Sequence, residues 1–234
     1  MTITLCLLTW NEIDGCKHDI PQIKRSQFDD IFAIDGGSVD GTVEYLKHEK
    51  IKVIKQNKKG LNAAHIQAVE SCKTDAIIFF HPKGTISVAN TLKFRKFFDS
   101  GYELVIGSRI IKGSQNEEDE SLFKPRKWLT ILLAITASIV WKRDDNTVWD
   151  VLHGFRGITI KAFGKFNPPT SGLTIDIAGV VQSYKKDIKR IEFPVKERSR
   201  TNGSTHFKAI PTGLEILRYL IKQLFLIINP FFAN

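Results

Sequence analysis

Residues 35–42 read Asp-Gly-Gly-Ser-Val-Asp-Gly-Thr and follow directly on the apolar run Ile31-Phe32-Ala33-Ile34. Two carboxylates, two hydroxyls and three glycines so closely spaced suit a phosphate or a ribose. Gly36 and Gly37 reach backbone angles closed to other residues, so a ligand can approach the main chain, and Ser38 or Asp40 can cap a helix starting near Gly41. Other polar groups cluster in the same way beside apolar runs. They are Thr9-Trp10-Asn11-Glu12, Lys59-Gly60-Leu61-Asn62-Ala63-Ala64, His81-Pro82-Lys83-Gly84, Gly107-Ser108-Arg109 and Asp150-Val151-Leu152-His153-Gly154-Phe155-Arg156-Gly157. Asp35 and Glu12 are the candidates for contacts to a base or a ribose. Asp40 is as suited to capping its helix as to touching a ligand.

The elements that must position these groups are legible from hydrophobic periodicity. Strand-like runs at 2–8, 31–34, 51–54, 76–80 and 104–106 alternate with helical patterns near 13–26, 42–48, 62–71 and 88–98. Such β-α-β-α order predicts a mostly parallel sheet with helices on both faces and ligands at the carboxyl ends of the strands. Each motif up to Arg109 stands at such an end. From residue 110 the pattern changes. Residues 112–122 are polar and carry Asn116-Glu117-Glu118-Asp119-Glu120, which reads as a mobile, solvated loop. Residues 128–141 are apolar all round and flanked by Lys124, Arg126, Lys127, Lys142 and Arg143. At about 1.5 Å per residue they extend roughly 20 Å, short of the roughly 30 Å hydrocarbon core of a bilayer, so the helix is buried or interfacial. A helix near 175–186 and a strand at 188–193 follow, and 214–228 reads as an amphipathic tail helix with an aromatic end. The expected organisation is a main domain over 1–210 and a membrane-associating helix over 211–234.

The 234 residues carry a formal net charge of +9, which asks for an anionic partner: nucleic acid, an anionic membrane surface or a phosphorylated small molecule. Nucleic acid ranks last, because the chain has no zinc-finger spacing, no helix-turn-helix pattern and no aromatic-basic stretch. Cys6, Cys16 and Cys72 are odd in number and lie in or beside apolar patterns, as reduced core thiols of a cytosolic protein would. No secretory signal is read at the start of the sequence.

In order and spacing, these motifs resemble those of the family 2 glycosyltransferases, whose D-x-G-S-x-D-G-T element matches the loop at Asp35. The later segments narrow the resemblance. Asp150 to Arg156, and Pro194-Val195-Lys196-Glu197-Arg198-Ser199-Arg200-Thr201-Asn202-Gly203-Ser204-Thr205-His206, are similar to the D-x-x-S-G-F-R and P-V-x-x-x-x-R-x-x-G-x-S-K segments of the dolichol-phosphate mannose synthase-like branch. The departures are His153 for a serine and Thr205-His206 for Ser-Lys. The resemblance implies a GT-A-like, Rossmann-like α/β fold with interfacial helices in its C-terminal half. It also implies inverting transfer of a sugar from a GDP- or UDP-linked donor to a polyprenyl phosphate, at the cytoplasmic face of a membrane. Over the matching positions it implies that Thr9, Asn11, Glu12, Asp35, Gly37, Ser38, Lys59, His81, Gly107, Arg109, His153, Arg156, Thr205 and His206 line the substrates.

Members of that family carry an Asp-x-Asp motif after the fourth main strand, holding a divalent cation on the donor diphosphate; here the chain has His81-Pro82-Lys83-Gly84. Magnesium or manganese is thereby disfavoured, since hard cations want oxygen ligands. Two readings stay open. Lys83 stabilises the leaving diphosphate in the cation's place, with Arg198 and Arg200 adding forked donors, or catalysis is lost and only binding persists. Arg109, Arg126 and Lys127 border the apolar helix and are expected to host the acceptor phosphate. Such a phosphate, with its second pKa about 6, needs no general base. Asp150 could orient an acceptor, and Asp150 or Asp176 would be the base if the acceptor were a hydroxyl instead.

Overall fold

A computed structural model of the chain describes residues 1–120, 123–199 and 209–228. Its centre is a seven-stranded sheet of β1 (Ile3–Thr9), β2 (Asp30–Asp35), β3 (Lys52–Lys55), β4 (Ala76–Phe80), β5 (Leu104–Ser108), β6 (Arg156–Thr159) and β7 (Arg190–Pro194), in the order β3-β2-β1-β4-β6-β5-β7. All neighbouring pairs are parallel except those of β6, which runs antiparallel between β4 and β5. β1 and β4 mark the point where strand order reverses, where open α/β sheets take their ligands beyond the carboxyl ends of the strands.

Strand alternation divides the core between the two faces of the sheet. Ile3, Leu5 and Leu7 of β1 pack with Cys16, Leu46, Phe94 and Phe98 from α1 (Ile13–Asp19), α2 (Thr42–His48) and α4 (Lys93–Asp99). Cys6 and Leu8 face the other layer, where α3 (Leu61–Ser71), α5 (Pro125–Trp141), α7 (Ile175–Lys185) and α8 (Ala209–Ile228) gather. The short α6 (Ile160–Phe163) is capped by the Thr159 hydroxyl, which accepts the Ala162 N–H.

Three elements depart from the periodicity. The helix expected over 13–26 stops at Asp19 and continues as 3-10 turns at Ile20–Gln22 and Arg25–Gln27, because Pro21 offers no N–H. The one expected over 88–98 begins as a 3-10 helix, Val88–Leu92, before α4. The acidic run is folded too: Glu117–Glu120 form a 3-10 turn against the start of α5. There Glu117 pairs with Arg126 at 2.6 Å, Asp119 pairs with Lys124 and Lys127, and the Glu118 carboxylate accepts the Lys127 N–H at 3.0 Å. With Lys124 in the cap position, Glu118 supplies the carboxylate that the helix start favours.

α5 is two-sided. Thr130, Leu133, Ala134, Ala137 and Trp141 are buried, whereas Trp128, Leu132, Ile135 and Ile139 form an exposed apolar line. α8 repeats the pattern with Ile216, Tyr219 and Leu220 buried and Leu214, Leu217, Ile221 and Phe225 exposed. Among the described residues no helix is long and apolar enough to cross a membrane.

Candidate functional site

The loops after β1 and β2 are stitched into one unit. Asp35, 2% exposed, accepts hydrogen bonds from the Gly37 and Ser38 N–H groups on one oxygen, and from the Thr9 and Ser38 hydroxyls on the other, at 2.6–2.9 Å. Asn11, in the left-handed region at φ 51°, donates its N–H to the Ser38 hydroxyl, and its side-chain oxygen accepts the Val39 N–H. The Glu12 N–H donates to the Thr42 hydroxyl. Asp40 accepts the Thr42 N–H and hydroxyl on one oxygen and the Ile13 N–H on the other, so it is bound into the starts of α1 and α2. Asp35, Thr9, Asn11 and Ser38, expected as ligand contacts, are therefore the frame of the loop. The same frame presents Trp10, 49% exposed, over Gly36, where an added Cβ would lie 3.3 Å from the Trp10 side chain. Trp10 is a large aromatic just beyond a strand end, which the sequence reading quoted without giving it a role.

The loop after β4 is held from below. Gly15 of α1 leaves the room it needs, since a Cβ there would sit 2.1 Å from the Pro82 carbonyl oxygen and 2.8 Å from Lys83 Cα. Buried Asp19 accepts the Gly84 N–H at 2.9 Å. His81 lies over Gly154, whose added Cβ would be 2.8 Å from His81 Nε2 and 3.9 Å from an Asp176 oxygen. Arg156, expected on substrate, is buried: it donates to the His153 carbonyl and the Asp176 carbonyl, with its Nε 3.0 Å from the Asp176 carboxylate.

Arg109 and Asp150 require the clearest correction. The Asp150 carboxylate is fully buried, and it takes the Arg109 N–H, Nε and Nη2 at 2.8–2.9 Å. Arg109 reaches Glu197 with Nη1 at 3.1 Å. Burial alone would raise the Asp150 pKa, but the Arg109 charge and hydrogen bonds hold it down at about 2. In this arrangement Asp150 and Arg109 face each other, with Glu197 as the second carboxylate on Arg109, where the sequence reading set them toward an acceptor. The His153 ring is hydrogen-bonded through Nδ1 to the Gly107 carbonyl, and burial together with Arg109 pushes its pKa to about 3, so the imidazole is neutral. Arg126, 57% exposed, is paired to Glu117.

What the fold does bring together is the loop after β4 and the segment after β7. The Arg198 N–H donates to the Thr85 carbonyl at 2.9 Å, Ile86 bridges to Glu197, and Gln115 pairs with 195–197 from the other side. Lys83 and Arg198 thus stand on joined segments. Lys59 is exposed beside Gly60, which is at φ 107° and packs on Gly172, and Asn62 accepts the Ile175 N–H at the start of α7. Arg200, Thr205 and His206 lie outside the described residues.

The model of the family described as Glycosyl transferase family 2 matches residues 8–166. Glycosyltransferase AglJ of Haloferax volcanii is 24% identical over 203 residues, 86% of this chain and 65% of that protein, so the chain spans a little under two thirds of that relative's length. Two solved structures of glucosyl-3-phosphoglycerate synthase from Mycobacterium tuberculosis share the fold. The complex with Mg2+ and UDP gives a TM-score of 0.65 at 14% identity over 94% of this chain and 78% of that one. The complex with Mn2+ and UDP-glucose gives 0.62 at 14% identity over 87% and 72%.

Proposed function

The chain belongs to glycosyl transferase family 2, and we propose that it transfers a sugar, with inversion, from a UDP- or GDP-linked donor to a polyprenyl phosphate while docked peripherally on an anionic membrane surface at the cytoplasmic side. The observation that carries this reading is the pair of exposed apolar lines on α5 and α8, with Lys124, Arg126 and Lys127 at the start of α5. One residue separates the acidic turn paired to those cations from Gln115, which bonds the strap at 195–197. Amphipathic helices with basic flanks suit the boundary between headgroups and acyl chains.

On this reading Trp10 offers its face to the nucleobase, and Lys83 and Arg198 meet the donor diphosphate. An acceptor phosphate oxygen attacks the anomeric carbon as the bond from that carbon to the diphosphate breaks, and the electron pair leaves on the diphosphate. Cations placed where that charge gathers lower the barrier. The acceptor is ionised already, so the enclosure of Asp150 is no obstacle. The neighbouring structures hold Mn2+ or Mg2+ with UDP. Here an imidazole, a proline and an ammonium follow β4, a donor set that does not fit a hard cation. No step of the proposed reaction runs through a metal.

The test is incubation with UDP- and GDP-sugars and polyprenyl phosphate, with and without chelator. Glycosylated lipid formed in the presence of chelator supports the reading. Transfer only to sugar hydroxyls, or nucleotide binding with no transfer to any acceptor, overturns it in favour of a glycan acceptor or a binding-only relative.

A further inference from the structure

We propose that Arg109 is a positioning residue: by clasping Glu197 it holds the strap 195–198 across the loop after β4, and so sets where Arg198 stands relative to the donor diphosphate. The inference rests on the donor reading above and adds a role to a residue expected to bind the acceptor.

Three segments that are remote in sequence meet at one guanidinium. Its Nε and Nη2 form a fork on Asp150 while Nη1 extends to Glu197 at 3.1 Å, and Arg109 is only 17% exposed and Glu197 14%. The Asp150 side of the clasp is bonded to β7. The N–H groups of Trp149 and Asp150 donate to Glu192 of β7 at 2.8 Å each, and buried Arg190 pairs with Asp144 and donates to the Asn146 carbonyl. The strap side is slighter. Its start is fixed by buried Val195, whose N–H donates to the Ser108 carbonyl at 2.9 Å; beyond that it depends on the Val195 and Glu197 exchange with Gln115, on the bridge to Ile86, on the Arg198 bond to Thr85 and on the Glu197 side chain. Arg109 therefore ties the Asp150 segment to the strap through a side chain, in addition to the backbone bonds that Ser108, Gln115 and Thr85 make to it. Charge-assisted bonds of this kind are among the stronger ones a protein makes.

The clasp also has a titratable member. Glu197 is faced by Arg109 from the end of β5, by Asp150 from the loop before β6 and by Glu117 from the acidic turn. Burial pushes its carboxyl above the ordinary range, and Arg109 draws it back. Protonation removes the partner of Nη1 and leaves the Asp150 fork in place.

Hydrogen–deuterium exchange, corrected for intrinsic rates and followed across pH, tests this on the full chain with calorimetric titration of UDP and of GDP. Glu197→Gln is the decisive variant, because it keeps the Arg109–Asp150 pair and the fold. It should speed exchange of the Arg198 amide about tenfold, the loss expected for one charge-assisted bond, while the Trp149 and Asp150 amides stay protected. Affinity for the nucleotide that binds should fall in step. In the wild type, Arg198 protection should fall as the solution is acidified, and in Glu197→Gln this dependence should vanish. Arg109→Lys, which keeps a charge but not the fork, should also free the Arg198 amide, and unlike Glu197→Gln should loosen the Asp150 side as well. An Arg198 amide equally protected in both variants overturns the clasp, and freed exchange with unchanged nucleotide affinity overturns its link to the donor. If neither UDP nor GDP binds the wild type, the donor reading fails while the exchange arm still decides the clasp.

Discussion

Replacing Asp150 with asparagine separates two roles that its position in the sequence allowed. The carboxylate is wholly enclosed and accepts three donors from Arg109, while Arg109 has a second carboxylate only through Nη1. The substituted side chain would place an amide N–H₂ against guanidinium donors and leave a buried positive charge half compensated. Breaking such a pair costs about 3–5 kcal/mol. With a urea slope near the upper end of about 1–3 kcal/mol/M for a chain of this size, the midpoint should drop by about 1–1.7 M. A cycle with Arg109→Met should show coupling of about 2 kcal/mol or more, since the two residues touch. Assayed well below its melting temperature, the variant should retain transfer to a phosphate acceptor, which needs no base. Asp150→Asn with an unchanged urea midpoint would refute the argument from burial. Loss of transfer at full stability would make Asp150 a base and point to a hydroxyl acceptor.

Three further outcomes are expected. His153 is neutral in the folded chain, with its pKa at about 3, against about 6.5 when unfolded. Below that value the unfolded chain takes up a proton which the native one refuses, so stability is complete above about pH 6.5 and falls by about 1.4 kcal/mol per pH unit toward pH 3; His153→Gln should reduce the measured slope by one proton's worth. Lys83→Ala should cut turnover by about 10²–10³, or about 2.7–4 kcal/mol of barrier, with the circular-dichroism melt unchanged, and chelation should not reproduce the loss. A magnesium requirement indifferent to Lys83 would exclude charge replacement. Leu132→Asp with Ile135→Asp should release the protein from anionic liposomes in sedimentation, and Glu117→Gln with Glu118→Gln, by unpairing Arg126 and the start of α5, should tighten that binding at low salt. Wild-type protein that never sediments with vesicles would refute the membrane reading.

Much of the architecture was legible because long apolar runs report burial directly. All seven residues of β1 and all five of β4 are buried, so their strands stood out with boundaries within a residue of those observed. β6 was not legible. Arg156-Gly157-Ile158-Thr159 carries neither alternation nor an apolar run, and its strand character comes from the antiparallel partners on either side, β4 and β5. The acidic turn was missed for a related reason: five polar residues have no period, and only the cations at the start of α5 give them a structure.

At the site the division is sharper. Local chemistry is written in the chain, so the glycine-bearing loop after β2, the loss of both carboxylates after β4 and the family itself could be read from residue types and their spacing. Which polar groups face a ligand and which face each other could not, because that depends on partners far away in sequence. Asp35 is filled by Thr9, 26 residues away, and Arg109 by Asp150, 41 residues away. A carboxylate or guanidinium is compatible with either arrangement until the fold sets the distance and removes the water; at 2.9 Å a buried charge and its counterpart are held together by desolvation, a pairing that only the tertiary structure decides.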